Sequence, residues 1–538
     1  MAQATRTRIG GHLVAESLEV LGAEVAFGLP GVHALAIWEA LRSSPVRALG
    51  FRTELNAGFA ADGYARVSGT PAPLLLSTGP GALNSLTALM EASSSHVPVV
   101  AIASQIPTDL VGRGRGFLHE LADQLASFAP IVKWAARAQS AGDIPELIAE
   151  AWRRALTPPS GPVFLEIPVD LLTGETDVTP VKELNAAPPK LPLPADDELA
   201  AAARLLAGAE RPVIWAGGGV LRSGAWEELR ELAERVQALV ATTYMGKGAF
   251  PEDHPLSAGC AADEEPFRKL VESADVLLAV GTELGAETTG QYAFRPGGRI
   301  VQIDAAPERI GATYEAVGLV GDARAVLAAL VERVPRIDRG LPENTVTERI
   351  ESELEAQAHE LERGLLRTIR EALPRDAVHA WDMTILAYWA GAHFPALAPR
   401  RFLYPLGSGT LGYAWPASLG AKAALPETPV LAVAGDGGFM YGVSELAVAR
   451  QHGLAAKVLL VDDGGYGILR EYQRDSFGEE FAVDLARPDF VAVAEAFGVA
   501  ARRTAADSLD VDLAWAFELE APAVVVLPAL LEMWAPTA

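Results

Sequence analysis

At 538 residues, half of them apolar, the chain is too long for one hydrophobic core, and roughly two to four domains are expected. Its formal net charge of −25 is dispersed along the chain, which reads as a solvated acidic surface and argues against nucleic acid or an anionic membrane as partner. A single cysteine, Cys260, excludes an intramolecular disulfide; with no signal-like apolar core near the start and no apolar stretch of membrane-spanning length, a cytoplasmic location is expected.

Residues 1–173 form the first unit. Apolar runs at Val25–Phe27, Leu74–Ser77, Val97–Ala103 and Val163–Ile167 alternate with amphipathic stretches, the pattern of a parallel sheet with helices on both faces. A proline-bearing stretch from Gly174 to Asp197 reads as a linker. A second α/β unit, 195–334, has strands at Val213–Ala216, Val276–Val280 and Ile300–Ile303. Its GGGV at 217–220 is not followed by the spacing of a dinucleotide turn, so an oxidoreductase of that type is disfavoured. Another proline-marked link, Val334 to Thr345, leads through a charged helix over 348–371 into the third unit, 346–538, which ends on the strand Ala523–Leu527. The expected fold is α/β, with three doubly wound parallel-sheet domains.

In the first unit, RTELNAGFAADGYARVSG turns from an extended segment into a helix at Glu54, where an acid is also an ordinary partner of the helix dipole. In the third unit, the run Leu431–Ala434 stops at Gly435-Asp436-Gly437-Gly438, and the run Val458–Val461 stops at Asp462-Asp463-Gly464-Gly465. One Gly-Asp-Gly is an ordinary strand-to-helix turn. Two carboxylates at the ends of successive parallel strands can instead grip one hard cation, while the glycines leave N–H groups bare for a diphosphate.

This pairing resembles the motif of thiamine diphosphate (ThDP) enzymes, and in particular the branch of acetolactate synthase, benzaldehyde lyase and 2-oxo acid decarboxylases. The resemblance spans nearly the whole chain and implies pyrimidine-binding, middle and diphosphate-binding domains. It implies Mg²⁺ held by Asp436, Asp463 and the Gly465 carbonyl, although the family's usual pair is Asn-Asn where this chain has Asp462-Asp463. Glu54 would hydrogen-bond the cofactor's aminopyrimidine, and Pro30, Gly31, Thr78 and Asn84 would lie on its pyrimidine side. Gly409 and Leu411 would hold the cofactor bent, with Gly435, Gly437, Gly438, Tyr466, Gly467 and Ile468 beside its other end. His33 and His119 match positions near the reacting carbon and are candidates for proton transfer; a histidine chosen blindly is more often structural. Ser77, Gln105, Arg470 and Tyr472, with the neighbouring Glu471, would border the substrate. Ser77 stands where benzoylformate decarboxylase has a catalytic histidine, so that enzyme's apparatus is not reproduced.

The resemblance favours non-oxidative decarboxylation of a small or medium 2-oxo acid, with possible carboligation to an aldehyde. An acetolactate synthase-type transferase, an aldehyde lyase and a non-catalytic subunit are the other readings. It implies a homodimer at minimum and a homotetramer as the expected assembly. In flavin-carrying relatives an arginine contacts the dinucleotide where this chain has Glu283, so flavin is not expected and ADP remains an option in the middle unit.

Overall fold

The computed structural model describes residues 8–536 apart from 339 and 341, so the extreme start and parts of the second linker lie outside it. Three six-stranded sheets, parallel throughout, follow one another along the chain. The first holds β1 (Val25–Gly28), β2 (Arg47–Gly50), β3 (Ala72–Leu76), β4 (Val99–Gln105), β5 (Ala135–Arg137) and β6 (Val163–Pro168), in the order 2-1-3-4-6-5. The second holds β7 (Pro212–Ala216), β8 (Leu239–Thr242), β9 (Ser257–Gly259), β10 (Val276–Val280), β11 (Arg299–Asp304) and β12 (Val317–Val320), ordered 12-11-10-7-8-9. The third holds β13 (Val378–Trp381), β14 (Phe402–Leu403), β15 (Val430–Gly435), β16 (Lys457–Asp462), β17 (Ala500–Arg503) and β18 (Ala523–Pro528), ordered 14-13-15-16-18-17. All ten strands read from apolar runs are present, because a strand buried on both faces must be apolar continuously; every residue of β4 and of β16 is buried.

The first and third sheets repeat one strand order, whereas the middle one has the order of the dinucleotide-binding fold. The outer units are joined by helix Glu54–Ser68 packed on helix Ala414–Ala424. Small residues permit this: a Cβ on Gly63 would lie 2.2 Å from the Ala417 carbonyl oxygen, and one on Gly420 would lie 1.8 Å from that of Ala60. The seam also buries a charged network. Arg66 bridges Asp62 at 2.6 Å and Glu91 at 2.8 Å, and the Tyr413 hydroxyl donates to Asp62. Each carboxylate is thereby paired, which is what makes its burial tolerable.

The single charged helix expected over 348–371 is instead two helices, Val346–Glu355 and Glu360–Ala372, with Ala358 at a φ of 60° between them. Tertiary contacts place the break. Gln357 exchanges two hydrogen bonds with the backbone of Ala535, and the His359 ring packs on Trp389 at 5.3 Å. The stretch from 177 to 195 has no helix or strand, consistent with a linker.

Candidate active site

The carboxyl ends of β15 and β16 adjoin, with Gly435 paired to Val461 across the ladder, so the turns that carry Asp436 and Asp463 lie side by side. Asp436 is buried, and its Oδ1 has no hydrogen-bond partner. Burial, reinforced by the facing Asp463 carboxylate, pushes Asp436 up to about 7; burial likewise raises Asp463. Two carboxylates this close share a proton unless a cation replaces it. Asp463 Oδ1 also accepts from Gly465 N–H at 3.1 Å. The surrounding glycines are sterically required. A Cβ on Gly467 would meet Asp463 Oδ2 at 2.2 Å, and one on Gly437 would meet the Tyr466 ring at 2.7 Å. No group of three metal-ligating side chains occurs among the described residues, so a metal here would draw on two carboxylates, a backbone carbonyl and its own guest.

Two partners of this turn were not apparent in the sequence. Asp382, at the end of β13, is buried and accepts from the N–H groups of Met383, Gly412 and Ala414 at 2.9–3.1 Å, which fixes the Leu411 loop beside the Gly435–Gly438 turn. Gly409 sits in the same loop at φ 67°, a conformation favouring glycine. Thr384 Oγ1 would lie 3.1 Å from a Cβ on Gly435. Arg470 is committed to this framework: it donates to the carbonyls of Asp463 and Gly464 and pairs with Asp484. It therefore braces the loop and presents no free guanidinium to a substrate. Ile468 is buried one turn before Tyr472 on helix Gly467–Phe477, and Tyr472 is half exposed.

In the first unit, Thr53 caps the helix that begins at Glu54 by accepting from Asn56 N–H. Glu54 is buried; its Oε2 accepts from the Asn84 amide at 3.1 Å, and Gly81 passes close enough that a Cβ would reach Oε1 at 3.0 Å. His33 and His119 face each other with ring centroids 5.2 Å apart, and both Nδ1 atoms are buried without partners. Burial, and then His119, lower the His33 pKa. His119 itself has φ 65°, and its loop is pinned by Glu120, which accepts from the N–H groups of Arg115, Gly116 and Phe117. Ser77 Oγ is buried, unpartnered, and lies against Gly31, beside the exposed Pro30. Thr78 turns inward to Ser104 Oγ at 2.9 Å. Gln105 is also turned away from any pocket: it is 1% exposed, its amide donates to Glu166 and its carbonyl accepts from Ile106 N–H. The resemblance places it at the substrate; in the structure it serves as a partner of the buried Glu166.

Family models match the three units in turn. Residues 8–127 match "Thiamine pyrophosphate enzyme, N-terminal TPP binding domain", 199–330 the central domain and 382–527 the C-terminal TPP binding domain. A protein of Pseudomonas aeruginosa named probable 2-ketoarginine decarboxylase is 38% identical over 522 residues, covering 95% of this chain and 92% of that one. The chain belongs to the ThDP-dependent enzyme family.

Other relatives of this ThDP enzyme carry a different name. A probable acetolactate synthase large subunit of Methanocaldococcus jannaschii is 34% identical over 522 residues, covering 92% of this chain and 87% of its own. An acetolactate synthase of Mycobacterium bovis is 34% identical over 513 residues, with 91% and 82% covered.

A cavity of about 540 Å³ opens between the units of the ThDP enzyme, lined by Gly219, Gly281 and Asp304 of the middle unit, Arg66 and Lys133 of the first and Arg400 and Tyr404 of the third, among others. Glu283 borders it but is not a bare carboxylate. His96 Nε2 and Arg309 each lie 3.1 Å from it and hold its pKa below the usual range, the His96 hydrogen bond contributing most. The electrostatic argument against a dinucleotide at Glu283 is therefore weaker than the sequence suggests. No helix among the described residues is long and apolar enough to cross a membrane.

Proposed function

We propose that this enzyme decarboxylates a small or medium 2-oxo acid without net oxidation, using ThDP and Mg²⁺, and can pass the product fragment to an aldehyde acceptor. The observation that carries the reading is the Asp436–Asp463 pair, a buried carboxylate with an unpartnered oxygen facing a half-buried one, inside a chain with both TPP binding domains. Asp436, Asp463 and the Gly465 carbonyl would hold the metal, and the glycine-rich turn would receive the diphosphate. Bound ThDP supplies a nucleophilic carbon and an electron sink for the bond that breaks.

The chain's own residues provide the rest. Glu54, oriented by the Asn84 amide, would exchange a proton with the pyrimidine side. His33 and His119 are arranged to give and take protons at the substrate, since their Nδ1 atoms are unspent and imidazole titrates near neutral pH. Leu411, kept in place by Asp382, would support the bent cofactor.

The Glu54 group and the Asp436 group belong to different units, and large apolar side chains stand exposed near each: Val32, Leu35, Phe117 and Leu118 on the first, Met440 and Tyr441 on the third. Two copies pairing first unit to third would cover these surfaces and complete two sites, so a homodimer is the smallest active form and a homotetramer fits the same logic. A cytoplasmic location accompanies this reading, and ADP, not flavin, is the proposed occupant if the cavity between the units holds a nucleotide.

The acetolactate synthase relatives favour a second reading, a transferase that joins two 2-oxo acids. A panel of 2-oxo acids, with CO₂, aldehyde and acyloin quantified separately, tests both. Aldehyde release in stoichiometric step with CO₂ supports the lyase; acetohydroxy acid as the main product would replace it with the transferase.

A further inference from the structure

Resting on the ThDP decarboxylase reading, we propose that Glu91, a buried carboxylate of the first unit, is a positioning residue for the cofactor: it holds Ser408 and thereby fixes the Gly409–Leu411 loop of the third unit. Glu91 lies on helix Leu86–Ser94 and is 0% exposed, yet both of its oxygens are fully committed, in different directions. Oε1 accepts from Arg66 at 2.8 Å and from the Ser95 hydroxyl at 2.7 Å, both in its own unit. Oε2 accepts from the Ser408 N–H at 2.7 Å and from the Ser408 hydroxyl at 2.8 Å, both across the seam between the units. Two bonds from one anion to the backbone and the side chain of a single residue fix its place and its orientation, and an ionised acceptor makes each stronger than a neutral bond.

The loop is seated on that grip. β14 ends at Leu403, and Arg66, itself paired with Glu91, donates to the next carbonyl, that of Tyr404, at 3.2 Å. Gly407 then passes so close to the end of the helix that a Cβ would lie 2.4 Å from Ser95 Oγ and 2.9 Å from Glu91 Oε1. On the far side, Asp382 takes the N–H groups of Gly412 and Ala414. The span between the two carboxylates is thus Gly409, Thr410 and Leu411. Among the described residues its hydrogen bonds stay within the loop, from Gly409 N–H to the Pro405 carbonyl at 2.8 Å and from the Thr410 hydroxyl to the Leu411 carbonyl at 3.4 Å.

A short bridge without anchors of its own takes its position from its ends. Asp382 sets one end from within the third unit, and Glu91 sets the other from the first. Leu411 and Gly409 are the residues that would hold ThDP bent, so that the cofactor's own amine reaches its C2 proton, and a shift of ~1 Å in such a support costs on the order of 10²-fold in rate. The site needs an acid at position 91, because an amide has one acceptor oxygen. The Arg66 guanidinium would claim it, and the NH₂ group would then face the Ser408 N–H, donor against donor.

The test compares the parent, Glu91→Gln, Ser408→Ala and the double variant as ThDP- and Mg²⁺-loaded enzymes, by exchange of the cofactor's C2 proton, ThDP affinity and turnover of a 2-oxo acid. E91Q should slow exchange per bound cofactor ~10–100-fold, lower kcat in step and weaken ThDP binding, while KM for the 2-oxo acid stays within ~2-fold. S408A, which removes one of the two bonds, should slow exchange ~3-fold and add little to E91Q, as expected of two groups in one interaction. A merely structural Glu91 would lower Tm and the number of filled sites but leave exchange in the filled sites at the parent rate. That result in E91Q, or an S408A effect that is absent or fully additive, overturns the proposal. If E91Q does not fold, S408A decides alone: slowed exchange in filled sites upholds the grip, and parent-rate exchange overturns it. If the parent exchanges the C2 proton but releases CO₂ from no 2-oxo acid, the decarboxylase reading fails, and exchange still decides Glu91.

Discussion

The first and third units share one strand order and place their distinctive residues at the carboxyl ends of the strands, yet they treat charge in opposite ways. In the first, Glu54 is a single carboxylate already satisfied by Asn84, and two histidines stand face to face with unspent ring nitrogens. In the third, burial and then a facing carboxylate push Asp436 up to about 7. One half is suited to moving protons and the other to needing a cation. The sheet supplies the edge, and the residues on it determine the chemistry.

The strongest way to break this contrast is to remove the cation grip. Asp436→Ala should abolish measurable turnover, a loss of at least ~10³-fold, along with Mg²⁺-dependent ThDP binding. Asp463→Asn should retain activity, since an amide oxygen still serves the metal. Chelation of the parent should inactivate it reversibly; full turnover of metal-stripped enzyme in chelator would remove the Asp pair from the site.

On the proton side, Glu54→Gln should fold normally and bind ThDP while turnover falls ~10²–10⁴-fold. Exchange of the cofactor's C2 proton, followed by NMR, should slow in parallel. Unchanged exchange would dismiss Glu54.

His119→Ala should leave that exchange intact and lower kcat ~10–100-fold, with His33→Ala acting similarly but later in the cycle. Removing the His119 ring also relieves the repulsion that helps hold His33 below its ordinary pKa, so an acid limb governed by His33 should move to higher pH. Parent rates and an unshifted profile in both variants would return the pair to a structural role.

The smallest effect concerns stability. An Asp that titrates near 3.8 when unfolded and near 7 when folded resists ionisation in the native state. The metal-free protein should therefore be most stable at low pH with respect to this pair, and lose that contribution as pH rises from about 4 to about 7. Asp463→Asn should flatten the slope and raise Tm by a few degrees at neutral pH. Calorimetry across pH, with and without Mg²⁺, reads it; identical slopes in parent and variant would deny the coupling.

Read alone, the sequence determined ten strands with continuous apolar runs, the helix start at Glu54 and the two glycine-rich turns, because apolar runs and glycine punctuation are local signals. The partly exposed edge strands β2, β5, β12 and β17 escaped it, and so did the short buried strands β8, β9, β13 and β14. Their pairing comes from neighbours distant in the chain. Tertiary structure also decided where side chains point: Gln105 and Arg470 sit at expected strand and helix ends but are claimed by Glu166 and by the Asp463–Gly464 carbonyls. The role of Asp382 has no local signature. It arises only when sheet order brings separate elements together, and an isolated stretch of residues does not carry that information.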